Sequence, residues 1–150
     1  MILFSGNYQY SIDDKGRLSV PFRFRDQIQS DGQALTVWVW RHAKGYLRAY
    51  PEKQFNDLAT SFEGVPGKES ETALRDLMDN TEECPIDKQG RIILSQKFRE
   101  ETGIKREVVV VGVSRRFEIW DKARYKKYKD EVEPSIEGAF SAMQDKKNLI

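Results

Sequence analysis

Hydrophobic and polar residues alternate along two short stretches near the N-terminus, and this alternation predicts two strands joined by a tight turn. Large apolar residues occupy every second position over residues 8–12 and again over residues 17–20, which is typical of strands with one buried face. Residues 13–16 contain two aspartates and a glycine. They predict the turn, because Asp accepts backbone hydrogen bonds and Gly tolerates positive φ. In the helix expected next, Phe24 and Ile28 lie four residues apart and share one face.

The pattern then predicts a second pair of strands and two helices. Residues 34–40 are rich in Val and Trp and give the strongest strand signal of the first half. A Lys-Gly turn leads to a partner strand over residues 46–50. Apolar residues at three- and four-residue spacing predict a helix over residues 51–62. Two glycines and a proline within residues 64–67 end that helix, and an acidic helix is expected over about residues 68–80.

The second half of the chain repeats this order, with a strand, a turn and another strand before a helix. Ser95 is a suitable N-cap for that helix, and Gly103 is a suitable C-terminal stop. Residues 107–113 form a continuous valine-rich run, which predicts a central strand buried on both faces. Residues 117–120 predict its partner, and Asp121 is placed to cap the last helix of the repeat.

A shift of 74 residues superimposes the first half of the chain on the second, and such a repeat constrains the fold more than any single element. The matching residues keep one constant offset across a stretch whose apolar positions also match, so chance does not account for them. The next strand pair matches at an offset of 70 residues, which places a four-residue deletion in a loop, where deletions are tolerated. The identical pairs are Ile12 with Ile86, Asp13 with Asp87, Gly16 with Gly90, Arg17 with Arg91, Phe24 with Phe98 and Arg25 with Arg99.

The sequence therefore predicts an α+β fold built by tandem duplication of one small βαβ-type unit. A single domain is expected over residues 1–150, with internal repeats at about 7–63 and 83–132. A linking helix at about 68–80 joins the repeats, and a C-terminal helical tail is expected over 134–150. We expect the two repeats to be related by a pseudo-two-fold axis, with their Asp-Gly turns and following strands side by side in an interleaved β core.

Composition excludes several classes of protein. Charged residues make up 33% of the chain, its mean hydropathy is −0.68, and no apolar run reaches the length of a membrane span. The single cysteine, Cys84, excludes an internal disulfide and favours a reducing cytoplasm. With the single histidine, His42, it makes too few ligands for a metal site. We find no nucleophile–base pair and no phosphate-cradling glycine motif, so we expect no enzyme, no cofactor and no small-molecule substrate.

Charge is separated along the chain although the net charge is only +1. Residues 52–83 contain nine acidic and three basic side chains, whereas residues 105–129 contain nine basic and three acidic ones. Such blocks can present a basic face to an anionic partner. For residues 122–129, the simpler interpretation is a solvated helix face.

Arg17 and Arg91 are the strongest candidates for contact with nucleic acid. An arginine beside a glycine turn, on a strand that otherwise faces a core, can extend its guanidinium to a phosphate or to a guanine edge. The alternative is structural: an ion pair between Asp13 and Arg17, and another between Asp87 and Arg91, would close each turn. Repetition does not decide between these roles, because both copies could preserve a device of the fold.

The remaining candidate residues surround these two arginines. Asp13 and Asp87 are assigned to structure because a carboxylate near phosphate is repelled, and Gly16 and Gly90 set the backbone shape of the turns. Neither aspartate suits a catalytic dyad, since the adjacent arginine favours its ionised form. Other basic residues are plausible phosphate contacts, although helix arginines are as often solvated or paired with acids: Lys15, Lys88, Arg23, Arg25, Lys97 and Arg99.

The doubled Asp-x-x-x-Arg turn, followed in its first copy by Leu-Ser-Val-Pro and a Phe-Arg helix, resembles the MraZ family. The resemblance covers nearly the whole chain, including residues 47–51 and 117–121. Two departures separate the copies of the motif. The first turn has Lys15 where the second has Gln89, and the first helix follows Pro21, suited to a first helical turn, where the second follows Ser95.

This resemblance implies a swapped-hairpin fold similar to the AbrB-like DNA-binding proteins, a double-split β-α-β arrangement with peripheral helices. One chain would supply two pseudo-symmetric half-domains where AbrB-like proteins use two chains. It further implies a cytoplasmic, nucleoid-associated, ring-shaped homo-oligomer. Such a ring would regulate transcription by binding short direct repeats in double-stranded DNA upstream of the division and cell-wall gene cluster. On this basis Arg17 and Arg91 are expected to contact DNA.

A different function on the same fold is a protein-interaction module, antitoxin-like or scaffold-like, without enzymatic activity. Fold alone does not choose between a regulator and such a module. The doubled basic turn favours the regulator, since a scaffold would not require Arg17 and Arg91 together.

Overall fold

The computed structural model describes residues 1–147, and both repeats contain the same six elements in the same order. The first repeat comprises β1 (Asn7–Ser11), β2 (Arg17–Ser19), α1 (Phe22–Ser30), β3 (Thr36–His42), β4 (Tyr46–Pro51) and α2 (Glu52–Glu63). Between the repeats lies α3 (Lys68–Asp79). The second repeat comprises β5 (Thr81–Pro85), β6 (Arg91–Ile93), α4 (Gln96–Thr102), β7 (Glu107–Val113), β8 (Arg116–Asp121) and α5 (Lys122–Val132). A 3₁₀ turn (Glu133–Ser135) leads into α6 (Ile136–Lys147).

The two repeats exchange strands within one antiparallel sheet. Its order is β1-β7-β8-β4-β3-β5, so β1 of the first repeat pairs with β7 of the second, and β5 of the second pairs with β3 of the first. Strands β2 and β6 form a separate two-stranded antiparallel ladder in which Leu18 lies opposite Ile92. This exchange confirms the predicted α+β, swapped-hairpin core with peripheral helices.

The main core lies between the inner face of the sheet and a layer made of α1, α4 and the β2–β6 ladder. Phe24 of α1 and Phe98 of α4, which the repeat relates to each other, are each 1% exposed. Phe24 packs against Phe4 and Phe117 with ring centroids 4.7 and 5.2 Å apart. Ile28 is also buried, which confirms the inward face predicted for α1.

A second, smaller cluster lies on the outer face of the sheet, beneath α2 and α3. Phe55 and Leu77 are buried there, and the Trp38 ring stacks on Phe55 with centroids 5.3 Å apart. Trp40 is half-buried beside them. The acidic α3 therefore contributes to the core as well as connecting the repeats.

The predicted capping residues occupy their expected positions. The Ser95 hydroxyl accepts a hydrogen bond from the Phe98 N–H at 3.2 Å, and Gly103, whose φ is +71°, caps the C-terminus of α4. The Asp121 carboxylate accepts one from the Arg124 N–H at 3.1 Å. The predicted tail over 134–150 is helical as α6 up to Lys147; residues 148–150 lie outside the described range.

Three local expectations differ from the structure. Pro21 precedes α1 in an extended conformation (φ −51°, ψ 136°) and is not part of its first turn. Strand β3 begins at Thr36 rather than at residue 34. Val111 and Val113 are only half-buried, because the outer face of β7 borders an open groove instead of a covering layer. Within residues 1–147, no helix has both the length and the apolar character of a membrane span.

Candidate nucleic-acid interface

The turn of the first repeat is held by the carboxylate of Asp13. Its Oδ1 accepts hydrogen bonds from the backbone N–H groups of Lys15 and Arg17, at 3.0 and 2.9 Å. The Gly16 N–H donates to the Asp13 carbonyl at 3.0 Å, and Gly16 has φ +81°. The conformation of this turn therefore requires an aspartate at its start and a glycine three residues later.

The turn of the second repeat is built in the same way. Oδ1 of Asp87 accepts hydrogen bonds from the N–H groups of Gln89 and Arg91, at 2.8 and 3.0 Å. The Gly90 N–H donates to the Asp87 carbonyl at 2.9 Å, with Gly90 at φ +77°. The two motifs are thus equivalent in backbone structure as well as in sequence.

Both candidate arginines lie on one face of the β2–β6 ladder. Arg17 is opposite Ile93, and Arg91 is opposite Ser19. Side chains alternate along a strand, so these four residues share a face, while Leu18 and its partner on β6 point into the core. Ile93 on that face is 61% exposed. The strand pairing therefore places one arginine from each repeat on a single outward surface.

Each of these arginines is also paired with the aspartate of its own turn. Arg17 Nε lies 2.5 Å from Asp13 Oδ2, and Arg91 Nε lies 3.6 Å from Asp87 Oδ2. Arg91 Nη2 additionally donates to Gln89 Oε1. These are the ion pairs of the turn-closing interpretation. They engage only some of the five N–H donors of each guanidinium, so pairing and contact with a phosphate are compatible.

Arg25 and Arg99 lie between the repeats. Arg25 Nε donates to the Val20 carbonyl at 3.1 Å, and Arg99 Nε donates to the Leu94 carbonyl at 3.2 Å. The Arg25 guanidinium lies against Gly90, and Arg99 lies against Gly16. Each arginine therefore packs on the turn of the opposite repeat. Sequence analysis did not foresee this packing, although the 74-residue repeat carried a signal, since it aligns both the arginines and the glycines.

The other basic candidates are exposed to solvent. Lys15 and Lys88 are exposed in the two turns, and Arg23 is exposed on α1. Lys97 on α4 is exposed as well, with its Nζ 4.0 Å from Glu101 Oε1. Contact of any of these residues with DNA stays a prediction.

Hydrogen bonding shifts the titration of both turn aspartates. The N–H of Arg17 holds the pKa of Asp13 below its ordinary value of 3.8, and the Arg91 N–H does the same for the pKa of Asp87. The N–H groups two residues after each aspartate, together with the adjacent arginine charge, act in the same direction. Both carboxylates are therefore ionised at neutral pH and stabilise their turns in that form.

We expect this stabilisation to be lost in acid. A lowered folded-state pKa means that the contribution is fully present above the unfolded-state pKa and disappears as the pH falls through the folded-state value. Urea unfolding of the parent between about pH 5 and pH 2 should therefore show a steeper loss of stability than in an Asp13→Asn/Asp87→Asn variant. Equal pH dependence in the two proteins would contradict a turn-closing role for the carboxylates.

A family description and curated relatives agree with this architecture. The family model described as "MraZ protein, putative antitoxin-like" matches the chain twice, over residues 3–76 and 77–147. The chain belongs to the MraZ family. A "Transcriptional regulator MraZ" from Ligilactobacillus salivarius (strain UCC118) is 37% identical over 145 residues, covering 95% of this chain and 98% of that protein. Another with that name, from Pediococcus pentosaceus (strain ATCC 25745 / CCUG 21536 / LMG 10740 / 183-1w), is 35% identical over 137 residues, covering 90% and 92%.

The names of these two relatives describe them as transcriptional regulators. The two family matches also divide the chain close to the end of α3. Among residues 1–147, no group of three or more His, Cys, Asp and Glu side chains is arranged to hold a metal ion.

Proposed function

We propose that this chain is a DNA-binding transcriptional regulator that acts as a ring-shaped homo-oligomer in the cytoplasm, associated with the nucleoid. Its target would be short direct repeats in double-stranded DNA upstream of the division and cell-wall gene cluster. The relatives named as transcriptional regulators support the regulatory role. The observation that carries the proposal is the placement of Arg17 and Arg91 on one outward face of the β2–β6 ladder.

The dimensions of this ladder suit a groove of duplex DNA. A two-stranded antiparallel ribbon is narrow enough to enter the major groove, which is about 12 Å wide. Arg17 and Arg91 lie on neighbouring strands, two residues apart in register. At about 3.4 Å per residue and about 4.8 Å between strands, their Cα atoms are roughly 8 Å apart. Two guanidinium groups at that separation could contact different phosphates or base edges within one groove.

Assembly into a ring would turn a weak single contact into specific binding. One protomer has a net charge of only +1 and offers two small basic turns, so its affinity for duplex DNA should be low. Once one protomer is bound to a repeat, its neighbour meets the next repeat at high effective concentration, which can raise affinity by roughly 10²–10⁴-fold. Affinity should therefore follow the number and spacing of repeats.

A binding series on the DNA upstream of the protein's own gene tests this proposal. Fluorescence anisotropy with duplexes of one to four direct repeats should show affinity rising with repeat number. Affinity should fall steeply between about 50 and 200 mM salt, because phosphate contacts release counterions. Duplexes of the same composition with altered spacing between repeats serve as the control. An affinity that does not change with the number or the spacing of the repeats would overturn the proposed mode of binding.

The alternative is a protein-interaction module on the same fold. The ion pair between Arg17 and Asp13 favours it, because that pair gives the arginine a role inside the turn. The family description "putative antitoxin-like" points in the same direction. Under this alternative the oligomer would form normally and show no preference for the repeated DNA, so the same binding series separates the two functions.

A further inference from the structure

The two halves of the outer sheet face are covered unequally. In the first repeat, α3 returns over α2 and the sheet, and its Leu74 and Leu77 pack in one cluster with Trp40, Leu58 and Phe62. In the second repeat, the equivalent surface is an open groove of about 970 Å³ between α5 and the sheet. No residue of α5 is buried, whereas Phe55 and Ala59 of α2 are. The second repeat therefore lacks the covering helix that the first repeat has.

The groove is lined by the counterparts of the residues that α3 covers. The sequence offsets of 70 and 71 residues pair Leu58 with Tyr128, Phe62 with Val132, and Trp40 with Val111. All three second-repeat residues line the groove. Tyr46 and Trp120, stacked with centroids 4.2 Å apart, form part of the same lining. This surface therefore combines an apolar and aromatic strip with a charged border, and its counterpart in the first repeat is occupied by a helix.

Helix α6 follows α5 as α3 follows α2, and it carries an apolar stripe that is exposed. Ile136, Phe140 and Met143 are 40%, 61% and 46% exposed. Their spacing of four and then three residues places them on one face of the helix. Ser70, Leu74 and Leu77 of α3 have the same spacing and are buried or half-buried. Phe140 and Met143 of the stripe therefore correspond to Leu74 and Leu77, which fill the first-repeat site.

The connection between the helices explains why α6 does not cover its own groove. Residues 64–67 between α2 and α3 include Pro66 and end at Gly67, with φ +114°, so the chain reverses there. Between α5 and α6, by contrast, Val132, Glu133 and Ile136 all keep right-handed helical angles. The chain therefore does not reverse at this junction as it does at residues 64–67. The main contact of α6 is with the 3₁₀ turn, so α6 does not fold back over the groove of its own chain.

We propose that the groove receives α6 from a second copy of this chain. The neighbour's Ile136, Phe140 and Met143 would then occupy the site that α3 occupies in the first repeat. This inference rests on the ring assembly proposed above and names the contact that builds it. Each copy donates one α6 and accepts one, which is a head-to-tail interface that closes into a ring. The groove is lined by five cations and two carboxylates, so its charge is +3. The donated helix has Glu137 near its start, and its later charges, Asp145, Lys146 and Lys147, lie beyond the stripe.

A substitution on the stripe tests the contact. Phe140→Lys places a cation against the cationic groove, and it preserves helix propensity because lysine is a good helix former. Light scattering should show the mass falling from that of the oligomer to that of one 17.5 kDa chain, with an unchanged circular dichroism spectrum. The matched control is Val65→Lys, which makes the same change of charge at an apolar residue that is 57% exposed in the turn between α2 and α3. The control should remain oligomeric.

Cross-linking distinguishes a neighbour's helix from the chain's own. A tagged Phe140→Cys protein is mixed and reassembled with an untagged Val111→Cys protein, and a short bis-maleimide is added. The native Cys84 thiol takes no part, because it is buried and its pKa is raised to about 12. A tagged–untagged pair should form, and it should be lost when Ile136→Lys, on the same stripe, is added to the tagged Phe140→Cys chain.

The possible results separate this inference from the proposed function. An oligomeric parent whose mass is unchanged by Phe140→Lys overturns the α6 contact alone and leaves the ring in place. Cross-linking only within single chains of a Phe140→Cys/Val111→Cys variant also overturns it, because α6 would then cover its own groove. A monomeric parent overturns the proposed ring together with the contact.

Discussion

An Arg17→Ala/Arg91→Ala variant should lose binding to repeated DNA while keeping its oligomeric mass and its melting temperature within a few degrees. Each bidentate contact between an arginine and a base or phosphate is worth about 1–3 kcal/mol. The double substitution removes two such contacts from every protomer at once. Because an oligomer binds several repeats together, the losses multiply, and binding at micromolar protein should disappear.

Stability should change little because both arginines lie at the surface. The Arg17 and Arg91 side chains are 36% and 29% exposed, and ion pairs in such surroundings contribute about 0–1 kcal/mol. The carboxylates of Asp13 and Asp87 close the turns by accepting hydrogen bonds from main-chain N–H groups, and these bonds do not involve the arginine side chains. The turns should therefore survive the substitution. A loss of DNA binding would then reflect lost contacts and not a lost fold.

The measurement is a gel shift on duplexes with two, three and four repeats, alongside size exclusion and thermal melting. Arg75→Ala is the matched control, since Arg75 is an exposed arginine on α3, away from the β2–β6 ladder. The single variants are informative as well. The second turn has Gln89, which accepts a hydrogen bond from Arg91, where the first turn has Lys15. We therefore expect Arg17→Ala to weaken binding more than Arg91→Ala. If both variants bind like the parent, the arginines serve only to close the turns.

The internal repeat made much of the fold predictable. It paired Leu18 with Ile92 by offset alone, and these residues lie opposite each other in the β2–β6 ladder. The inward positions of Phe24 and Phe98 followed from the same alignment and from helical spacing. Such predictions succeed because the buried face of a strand or a helix appears in the local sequence as apolar residues with a period of two or 3.6 residues.

The exchange of β1 and β5 is not determined by local periodicity. A strand with one apolar face can pair with its own repeat or with the other, and both pairings bury the same side chains. Resemblance to a family implied a swapped hairpin, and the structure shows that the exchanged strand β1 lies against β7. The open groove beside β7 was missed for a related reason. A run of valines predicts a strand that is buried on both faces, but it does not show which element packs on the outer face. That depends on the path of a distant helix such as α6.

The roles of the charged residues were least accessible to sequence. Arg25 and Arg99 are plausible phosphate contacts by sequence. In the structure the Nε of each donates to a carbonyl of its own repeat, and its guanidinium lies on a glycine of the other. Sequence cannot assign such a contact, because a long arginine side chain reaches solvent, a ligand or a neighbouring backbone equally well. The contact does show why the turns require glycine.

Gly16→Ala should therefore destabilise the protein far more than its small size suggests. At φ +81° an L-residue is strained, and a Cβ atom on Gly16 would also overlap the Leu94 carbonyl oxygen and press on the Arg99 guanidinium. That overlap is with backbone which cannot rotate away, since the Leu94 N–H donates to the Gly16 carbonyl at 2.8 Å. The overlap can be removed only if the turn of the first repeat moves away from Leu94 of the second, and this movement breaks the contact between the two repeats.

Gly32→Ala isolates the strain from the overlap. Gly32 has a similar φ of +78°, but a Cβ atom there meets nothing within 4 Å. The free energy of unfolding of this variant should fall only by the cost of placing an L-residue in left-handed backbone, about 1–2 kcal/mol. For Gly16→Ala the free energy of unfolding should fall by at least about 2 kcal/mol more than for Gly32→Ala. In a chain of this length each kcal/mol lowers the melting temperature by about 2–4 °C. Thermal melting of the two variants with the parent makes the comparison. Equal losses would mean that the turn of one repeat does not rest on the other, and that packing across the glycines does not hold the arginine surface in place.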